Sequence, residues 1–567
     1  MRFSELSTYL EKLEKTSSRL EITRILTELF KETKPDEIDK VVYLSLGVLA
    51  PNYEGVLLNL AEKMVLRTFA IAYSQDSQII EKLYKKEGDV GNVAEILSSD
   101  LGKIKSELTV TQVYEKLLEI AKDNGEGSVE RKIEKMAEIL KNLDSLSSRF
   151  VARIPVGKLR LGFSEKTIID ALAGHDAKIQ EEIESAYNIR PDIGYIARLV
   201  KENKLKSAKP EIGVPVVPVL CQRLNSVTEM IKKMGEVSVE PKFDGLRIFI
   251  HFRRKDNFIR IFTRNMNAIP LETFPELLNV GMFIKADEAI LDSEAVGLDE
   301  KRQMFLDFQK TIQRRRKHEI TKNAEEIPLQ FQVFDVLLVD GINLINEPYT
   351  KRREELKKVV VSGSLLRVDE NTITKDPEEI RKMHQKYLKM GLEGVVVKKA
   401  DGLYSSGRTG WNWVKMKEEE GQRGRLPDTI DAVVMGYFLG KGKRTQFGLG
   451  KILVGIKDGD KFRTLTKVGT GLTEEMLVVI RKRLDKLVAH EKPKGYEAQK
   501  DLIPDVWAHP SLIVELSADS ISVSTKHSLG LSLRFPRFIR IREDKNADQA
   551  TTLGELKEIF KLQKTSS

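Results

Sequence analysis

The feature that most constrains this 567-residue chain is a change in the spacing of its apolar residues, at a proline-rich segment. Before that segment, apolar residues such as Phe3, Leu6, Leu10 and Leu13 recur every three or four positions, which is typical of one face of an α-helix. After it they alternate with other residues, as expected for β-strands with one buried face. The chain therefore contains at least two kinds of domain.

The segment at this change, PEIGVPVVPVL, is predicted to be an extended linker. Its three prolines lack the amide hydrogen that a helix needs, so no helix continues through it. A second break, EEGQRGRLPDTI, contains glycine and proline and is interpreted as another linker. The chain length also fits about three domains. We expect an all-helical domain at 1–209, a mixed α/β domain at 210–420 and a third domain at 428–567.

The two later domains differ in their predicted elements. In the central one, strands such as LRIFIHF, IRIFTRN and AILDSEAVGL are interrupted by helices such as DPEEIRKMHQKYLKM. In the last one, DAVVMGYFLG, KILVGIK and SLIVELSA are separated by glycine-rich turns, with one helix near TEEMLVVIRKRLDKLV. This pattern predicts a small β-barrel, and an OB-fold is the version we expect.

Composition excludes several classes of protein. No apolar stretch approaches the roughly 20 residues that span a bilayer, and the acidic residues in MRFSELSTYLEKLEK argue against a secretory signal. Cys221 is the only cysteine, which excludes intrachain disulfides and a cysteine-cluster zinc site. We expect a soluble, cytoplasmic, nucleoid-associated protein without a membrane partner. The net charge of +9 permits nucleic-acid binding but does not establish it.

The segment EPKFDGLR carries the first candidate for chemistry. Lys242 stands at the end of a predicted strand and precedes the turn pair Asp244-Gly245, which would hold its amine in a cleft. An amine that attacks phosphorus must be neutral, so we expect desolvation and nearby cations such as Arg247 to lower the pKa of Lys242. This motif alone is equally compatible with a surface lysine beside a β-turn.

Further motifs follow in order along the central domain. They are FTRN with Arg264, LDSE with Glu294, FQVFD with Phe334, LEGVVVKK with Glu393, and WVKMK with Lys415 and Lys417. The ordered set resembles the covalent nucleotidyltransferase superfamily of DNA ligases, RNA ligases and mRNA capping enzymes. The resemblance implies an ATP-grasp-like adenylation domain.

The same resemblance assigns roles to these residues. Lys242 would be the nucleophile, Glu240 would contact the adenine amino group, and Phe334 would stack on the base. Arg264 would contact the nucleotide and later the 5′-phosphate of the nick, since a guanidinium suits phosphate oxygens. Arg247 joins this nucleotide-binding set.

Two acidic and two basic residues complete the implied site. Glu294 and Glu393 would hold Mg²⁺, and Lys415 and Lys417 would face the α-phosphate from one side of a strand. Relatives commonly carry an arginine where this chain has Thr409. Whether the adjacent Arg408 binds the nucleotide in its place stays open.

The C-terminal segment SLRFPRFIRIREDK resembles the closing motif of eukaryotic and archaeal replicative DNA ligases. It implies that Arg540 and Lys545 reach ATP when the last domain closes over it. The helical segment SSRFVARIPVGKLRLGFSEKTIIDALA resembles the DNA-binding domain of the same ligases. Its basic residues would contact phosphates without sequence preference, although a solvated charged loop would have the same composition. They are Arg149, Arg153, Lys158 and Arg160.

These resemblances together imply an ATP-dependent DNA ligase of the archaeal and eukaryotic replicative type. Such an enzyme seals nicks in duplex DNA through lysyl-AMP and DNA-adenylate in replication, repair and recombination, with ATP and Mg²⁺, and we expect a monomer. A catalytically decayed scaffold that encircles DNA is the alternative from another class. A sliding-clamp partner stays open, because Glu81 occupies the apolar position expected after Gln78. Source, working temperature and use of other nucleotides also stay open.

Overall fold

The computed structural model describes residues 1–99, 108–157, 159, 161–174, 176–299, 304–305, 328–407, 410–417, 429–440 and 442–565. These residues form two compact units, Met1–Lys417 and Glu418–Ser567. In the described ranges, no helix is long and apolar enough to cross a membrane.

The first unit begins with helices, as the apolar spacing predicts. They are α1 (Phe3–Glu14), α2 (Arg19–Glu32), α3 (Ile38–Leu46), α4 (Glu62–Tyr73), α5 (Ser77–Glu87), α6 (Val90–Ser99), α7 (Val110–Lys122), α8 (Ser128–Lys141), α9 (Ser145–Arg153), α10 (Glu165–Ala173), α11 (Ala177–Ile189) and α12 (Ile193–Lys201). The apolar residues of the first predicted face, from Phe3 to Leu13, are buried in one common core. Local signals fix the ends: the Thr109 hydroxyl accepts from the Gln112 amide at the start of α7, and Gly47 ends α3 in the left-handed conformation.

After residues 210–218, where there is no helix or strand, the described residues of the unit form strands and three α-helices. The strands are β1 (Gln222–Arg223), β2 (Val237–Pro241), β3 (Leu246–Arg253), β4 (Phe258–Thr263), β5 (Ala268–Ile269), β6 (Glu288–Asp299), β7 (Met304–Phe305), β8 (Leu329–Val339), β9 (Ile342–Asn343), β10 (Leu366–Val368), β11 (Thr372–Thr374), β12 (Val395–Lys399) and β13 (Trp413–Met416). The helices are α13 (Val227–Met234), α14 (Tyr349–Val359) and α15 (Pro377–Lys389). The predicted helix at α15 is confirmed, and residues 210–218 contain no helix, as their prolines predict. The second predicted linker lies largely outside the described residues.

Two sheets organise this part of the chain. One has five strands in the order β1-β13-β12-β2-β11. The other has eight, in the order β10-β8-β6-β3-β4-β5, with β7 paired to β6 and β9 to β8. The chain passes from the first sheet to the second between β2 and β3, through Lys242, Phe243, Asp244 and Gly245. The motif around Lys242 is therefore the crossover between the sheets.

Gly245 is required by the close approach of the two strands that follow. A Cβ at this position would lie 2.9 Å from Glu294 Cγ and closer still to the carbonyl oxygen of Ala295. In the register of β3 and β6, Arg247 lies opposite Glu294 and Leu246 opposite Ala295. Only a residue without a side chain lets β3 begin this close to β6, which fixes where Lys242 stands.

The second unit is rich in strands. They are β14 (Ile430–Phe438), β15 (Lys451–Asp458), β16 (Lys461–Val468), β17 (Val488–Ala489), β18 (Tyr496–Glu497), β19 (Val506–Ala508), β20 (Ile513–Ser517), β21 (Ser520–Val523), β22 (Leu531–Arg534) and β23 (Arg537–Ile541). Two helices, α16 (Glu474–Leu484) and α17 (Leu553–Thr565), accompany them. One sheet has the order β17-β19-β14-β15-β16-β18, with β20 joining β14 to β23, and β21 pairs with β22. The strands predicted at β14, β15 and β20 and the helix at α16 are confirmed.

Candidate active site

A cavity of about 350 Å³ lies between the two sheets of the first unit. Seven of the predicted site residues line it, namely Glu240, Lys242, Arg247, Arg264, Glu294, Phe334 and Lys415. They come from β2, β3, β6, β8, β13 and the segments that follow β2 and β4. The sheet packing thus brings together residues that are far apart in the sequence.

Lys242 is held by both its backbone and its side chain. Its amide donates to the carbonyl oxygen of Gly394, and the Glu393 amide donates to the carbonyl oxygen of Lys242, both at 3.0 Å. Its Nζ lies 2.5 Å from Oε2 of Glu393, whose Oε1 accepts from Lys417 Nζ at 2.5 Å. A carboxylate therefore bridges two of the predicted cationic residues.

The charge state of Lys242 differs from the sequence-based expectation. Burial by itself would lower the pKa of Lys242, but the adjacent Glu393 carboxylate outweighs burial and raises the pKa above its ordinary value. Burial would raise the pKa of Glu393, yet the ammonium groups of Lys242 and Lys417 lower it to about 2. The expected lowered pKa of Lys242 is therefore wrong for this arrangement, which holds a protonated amine in an ion pair.

Glu294 and Lys415 show the effect of burial more directly. Burial is the main cause that raises the pKa of Glu294 to about 7, against the opposing Lys242 ammonium. Burial, followed by repulsion from Lys242, lowers the pKa of Lys415. On β13, Val414 and Met416 are buried in an apolar cluster, and Lys415 and Lys417 alternate with them as predicted.

Arg247 does not offer a free positive charge to Lys242. Its guanidinium donates to both oxygens of the buried Asp292, at 2.9 and 2.6 Å, and to the carbonyl oxygen of Val219 at 2.7 Å. The Tyr404 hydroxyl donates to the same carboxylate at 2.9 Å. Because Asp292 neutralises it, Arg247 acts mainly as a fixed part of the cavity wall.

The aromatic and outer parts of the cavity fit a nucleotide. Phe334 is half-buried, lines the cavity and packs in a T-shaped arrangement against Trp413, with ring centroids 5.9 Å apart. Arg264 is exposed in the turn after β4, where a guanidinium can meet a charged ligand. Arg408 and Thr409 lie outside the described residues, so the question of which residue replaces the missing arginine is untouched.

Models of known protein families match three parts of the chain. Residues 218–417 match the ATP dependent DNA ligase domain, residues 2–173 the DNA ligase N terminus, and residues 445–545 the ATP dependent DNA ligase C terminal region. The chain is 39% identical to a probable DNA ligase of Dictyoglomus turgidum over 581 residues, which cover 100% of this chain and 98% of that protein. It is 37% identical to the DNA ligase of Aeropyrum pernix, over 99% of this chain and 98% of the relative.

The chain belongs to the ATP-dependent DNA ligase family. A solved structure described as Pmar-Lig_PreS3 has a similar fold, with a TM-score of 0.52 and 18% identity over 95% of this chain and 99% of that one. The family architecture of a helical N-terminal region, an adenylation domain and a strand-rich C-terminal region agrees with the elements described above.

Two of the basic residues predicted to contact DNA have other partners in this ligase-family chain. The Arg153 side chain is only 2% exposed, and its guanidinium donates to Glu14, Asp89 and Asn92 at 2.8 to 3.1 Å. Arg149 pairs with Glu14 at 2.5 Å. These contacts join α1, α6 and α9, so the expected phosphate contact of Arg153 has to be corrected to a structural ion pair.

The other two, Lys158 and Arg160, lie outside the described residues. In the second unit, the closing motif of the ligase family spans β22, β23 and the turn after β23. Arg540 Nε donates to Glu515 at 2.6 Å, and Lys545 Nζ donates to Asp431 at 2.6 Å. Strand pairing explains this, since Asp431 lies opposite Glu515 and Glu515 opposite Arg540 on β14, β20 and β23. Carboxylates of neighbouring strands thus hold both predicted cations.

Sequence reasoning missed several residues of this ligase-family site. Lys398 and Trp413 stand within motifs that were recognised, but their own roles were not predicted. Asp292 lies on β6, two positions before Glu294. Because side chains alternate along a strand, both carboxylates lie on the same side of β6, and this spacing is the signal that could have revealed Asp292. Tyr349 lies on α14 and carries no such signal.

Proposed function

We propose that this chain seals nicks in duplex DNA by carrying AMP on Lys242. Membership of the family establishes an ATP-using DNA ligase. The observation that supports Lys242 as the carrier is its place at the crossover of the two sheets, in the cavity wall, with its amine beside carboxylates and further lysines.

We propose that the nucleotide lies in the cavity with its adenine base against Phe334 and the amino group of the adenine toward Glu240. The ribose and phosphates then extend toward Arg264, Lys415 and Lys417. An aromatic face suits a purine, and ammonium and guanidinium groups suit phosphate oxygens. We propose that Arg540 and Lys545 of the closing motif act on the leaving pyrophosphate.

Each chemical step is an in-line substitution at phosphorus. The Nζ of Lys242 forms a bond with the α-phosphorus of ATP, and the bond from that phosphorus to pyrophosphate breaks. An oxygen of the 5′-phosphate of the nick then attacks the same phosphorus, and the bond from that phosphorus to Nζ of Lys242 breaks. The 3′-hydroxyl finally loses its proton, attacks the 5′-phosphate and expels AMP. The first step requires Lys242 to leave its ion pair with Glu393 and lose a proton.

The donor set fits Mg²⁺, the metal that this chemistry implies. Glu294 and Glu393 are oxygen donors that both face Lys242, and Mg²⁺ is commonly held by one or two carboxylates together with substrate phosphates. Within the described residues there is no cluster of three or more His, Cys, Asp or Glu side chains that could hold a metal ion. When bound, Mg²⁺ would neutralise and orient phosphate oxygens.

The remaining parts of the proposal concern organisation and partners. We propose three domains at 1–209, 210–420 and 428–567, the first binding duplex DNA through Lys158 and Arg160 among others. We propose an ATP-grasp-like fold for the second domain and an OB-fold for the third. A monomeric state, a role in replication and repair within the cell, and a contact with a sliding clamp are proposed from the family type alone.

Labelling with α-labelled ATP tests the proposal. After denaturation, the wild-type protein should carry AMP, the Lys242→Ala variant should carry none, and the matched Lys399→Ala variant should be labelled normally. The Lys242→Ala variant should still join a pre-adenylated nick. AMP label retained by the Lys242→Ala variant would overturn the assignment of the nucleophile. Sealing of a splinted RNA in preference to nicked DNA would overturn the proposed DNA substrate, and sealing with NAD in place of ATP would overturn the proposed nucleotide.

A further inference from the structure

A buried ammonium group borders the cavity. The side chain of Lys398, on β12, is 1% exposed and forms an ion pair with Oε2 of Glu240 at 2.6 Å. Lys398 Nζ also donates to the carbonyl oxygen of Phe334 at 3.0 Å. One cation therefore touches both residues that we place against the base, its proposed hydrogen-bonding group and its proposed stacking ring.

Aromatic rings surround the same ammonium group. Lys398 Nζ lies 4.7 Å from the ring centroid of Phe334, 4.8 Å from that of Tyr349 and 4.2 Å from that of Trp413. A buried charge is costly unless it is paired, and ring faces supply part of the compensation. The rings and Glu240 together hold the Lys398 ammonium group in place, and Lys398 in turn holds the Glu240 carboxylate in position.

The Glu240 carboxylate also accepts hydrogen bonds from two hydroxyl groups. The Ser238 hydroxyl donates to Oε1 at 3.0 Å, and the Tyr349 hydroxyl donates to the same oxygen. Asn371 Nδ2 in turn donates to the Ser238 hydroxyl at 3.1 Å. Burial and the Glu240 carboxylate raise the pKa of Tyr349 well above its usual range, so its hydroxyl remains a donor. Glu240 thus presents only acceptor oxygens, and its Oε2 is paired with Lys398.

We propose that Lys398 is a positioning residue that makes the cavity selective for purines bearing a 6-amino group. It does so by holding Glu240 as a charged acceptor at the edge of the base, and the inference rests on the proposed placement of the base between Glu240 and Phe334. Adenine offers a donor at position 6, whereas a 6-oxo purine offers an acceptor that the carboxylate repels. A site built for one hydrogen-bonding pattern rejects the opposite pattern by about 100-fold or more.

Inosine triphosphate tests this inference, because its base differs from adenine at position 6 and in the proton on N1. Single-turnover formation of the covalent nucleotide adduct is measured over a range of ATP and inosine triphosphate concentrations. The wild type should prefer ATP by about 100-fold or more. In the Lys398→Met variant the Glu240 carboxylate loses the ammonium group that holds it at the edge of the base, so the preference should fall at least about tenfold. The change should lie mainly in the half-saturating ATP concentration, with a smaller effect on the maximal rate.

Lys399 provides a matched control on the same strand. Its side chain is 36% exposed and pairs with Asp401 at 3.3 Å, so Lys399→Met should keep the wild-type preference. The conservative Lys398→Arg variant should retain most of it. If Lys398→Met does not fold, Glu240→Gln carries the test, because its amide can donate to a 6-oxo group and should likewise raise the use of inosine triphosphate.

Equal use of ATP and inosine triphosphate by the wild type would overturn the inference while leaving nick sealing intact. An unchanged preference in folded Lys398→Met, or in Glu240→Gln, would also overturn it. A wild-type protein that forms no adduct with any nucleotide would instead contradict the proposed function, so the two failures are distinguishable.

Discussion

Replacing Gly245 by alanine should impair formation of the AMP adduct by displacing Lys242. The added Cβ would lie 2.9 Å from Glu294 Cγ and closer to the carbonyl oxygen of Ala295, whereas ordinary contacts begin at about 3.4 Å. The start of β3 must therefore move away from β6 by roughly 0.5 to 1 Å. Since Lys242 stands three residues before Gly245, its amine moves with the strand.

The expected loss follows from that displacement. A shift of about 1 Å in a reacting group can lower a rate by about 100-fold, so self-adenylation should fall about 10- to 100-fold. Overpacking should also lower the free energy of unfolding by about 1 to 3 kcal/mol. Both quantities are measurable on the full chain, the first by labelling with α-labelled ATP and the second by denaturant unfolding.

Gly495→Ala is the control for adding a methyl group. The nearest atom to a Cβ there is the Asp460 carbonyl oxygen at 3.9 Å, so both rate and stability should stay near wild type. Joining of a pre-adenylated nick by Gly245→Ala should be reduced less than self-adenylation, because that reaction bypasses attack by Lys242. Self-adenylation of Gly245→Ala within about threefold of wild type would refute the argument from close approach.

Three further outcomes are expected. Arg352→Met should lower the free energy of unfolding by about 3 to 5 kcal/mol, because it leaves the fully buried Asp335 carboxylate without its ion-pair partner. Denaturant unfolding measures this loss, and a loss below about 1 kcal/mol would contradict the prediction. Lys545→Ala should slow self-adenylation about 10- to 100-fold but slow joining of a pre-adenylated nick less, and equal slowing of both would speak against a role at pyrophosphate. Lys158→Ala combined with Arg160→Ala should reduce the slope of log affinity for nicked DNA against log salt by about one to two, with an unchanged slope counting against phosphate contacts.

The sequence alone determined the broad order of the elements and several of the residues that line the cavity. The change from helical to alternating spacing separated helices from strands, because each period suits only one backbone geometry. The motifs also predicted residues that lie close together, since Glu240, Arg264 and Phe334 line the same cavity. These features depend on local backbone periods and on residue types that the chemistry requires.

The tertiary structure alone decided which charges meet. The pKa of Lys242 is raised because Glu393, in the segment just before β12, faces its amine. Arg153 is buried against acidic side chains of α1 and of the residue before α6. Lys398 gained its aromatic surroundings in the same way, from strands and a helix that are distant in the chain. An electrostatic interaction depends on distance and burial between side chains, and a sequence period specifies a face of an element without specifying the element that will pack against it.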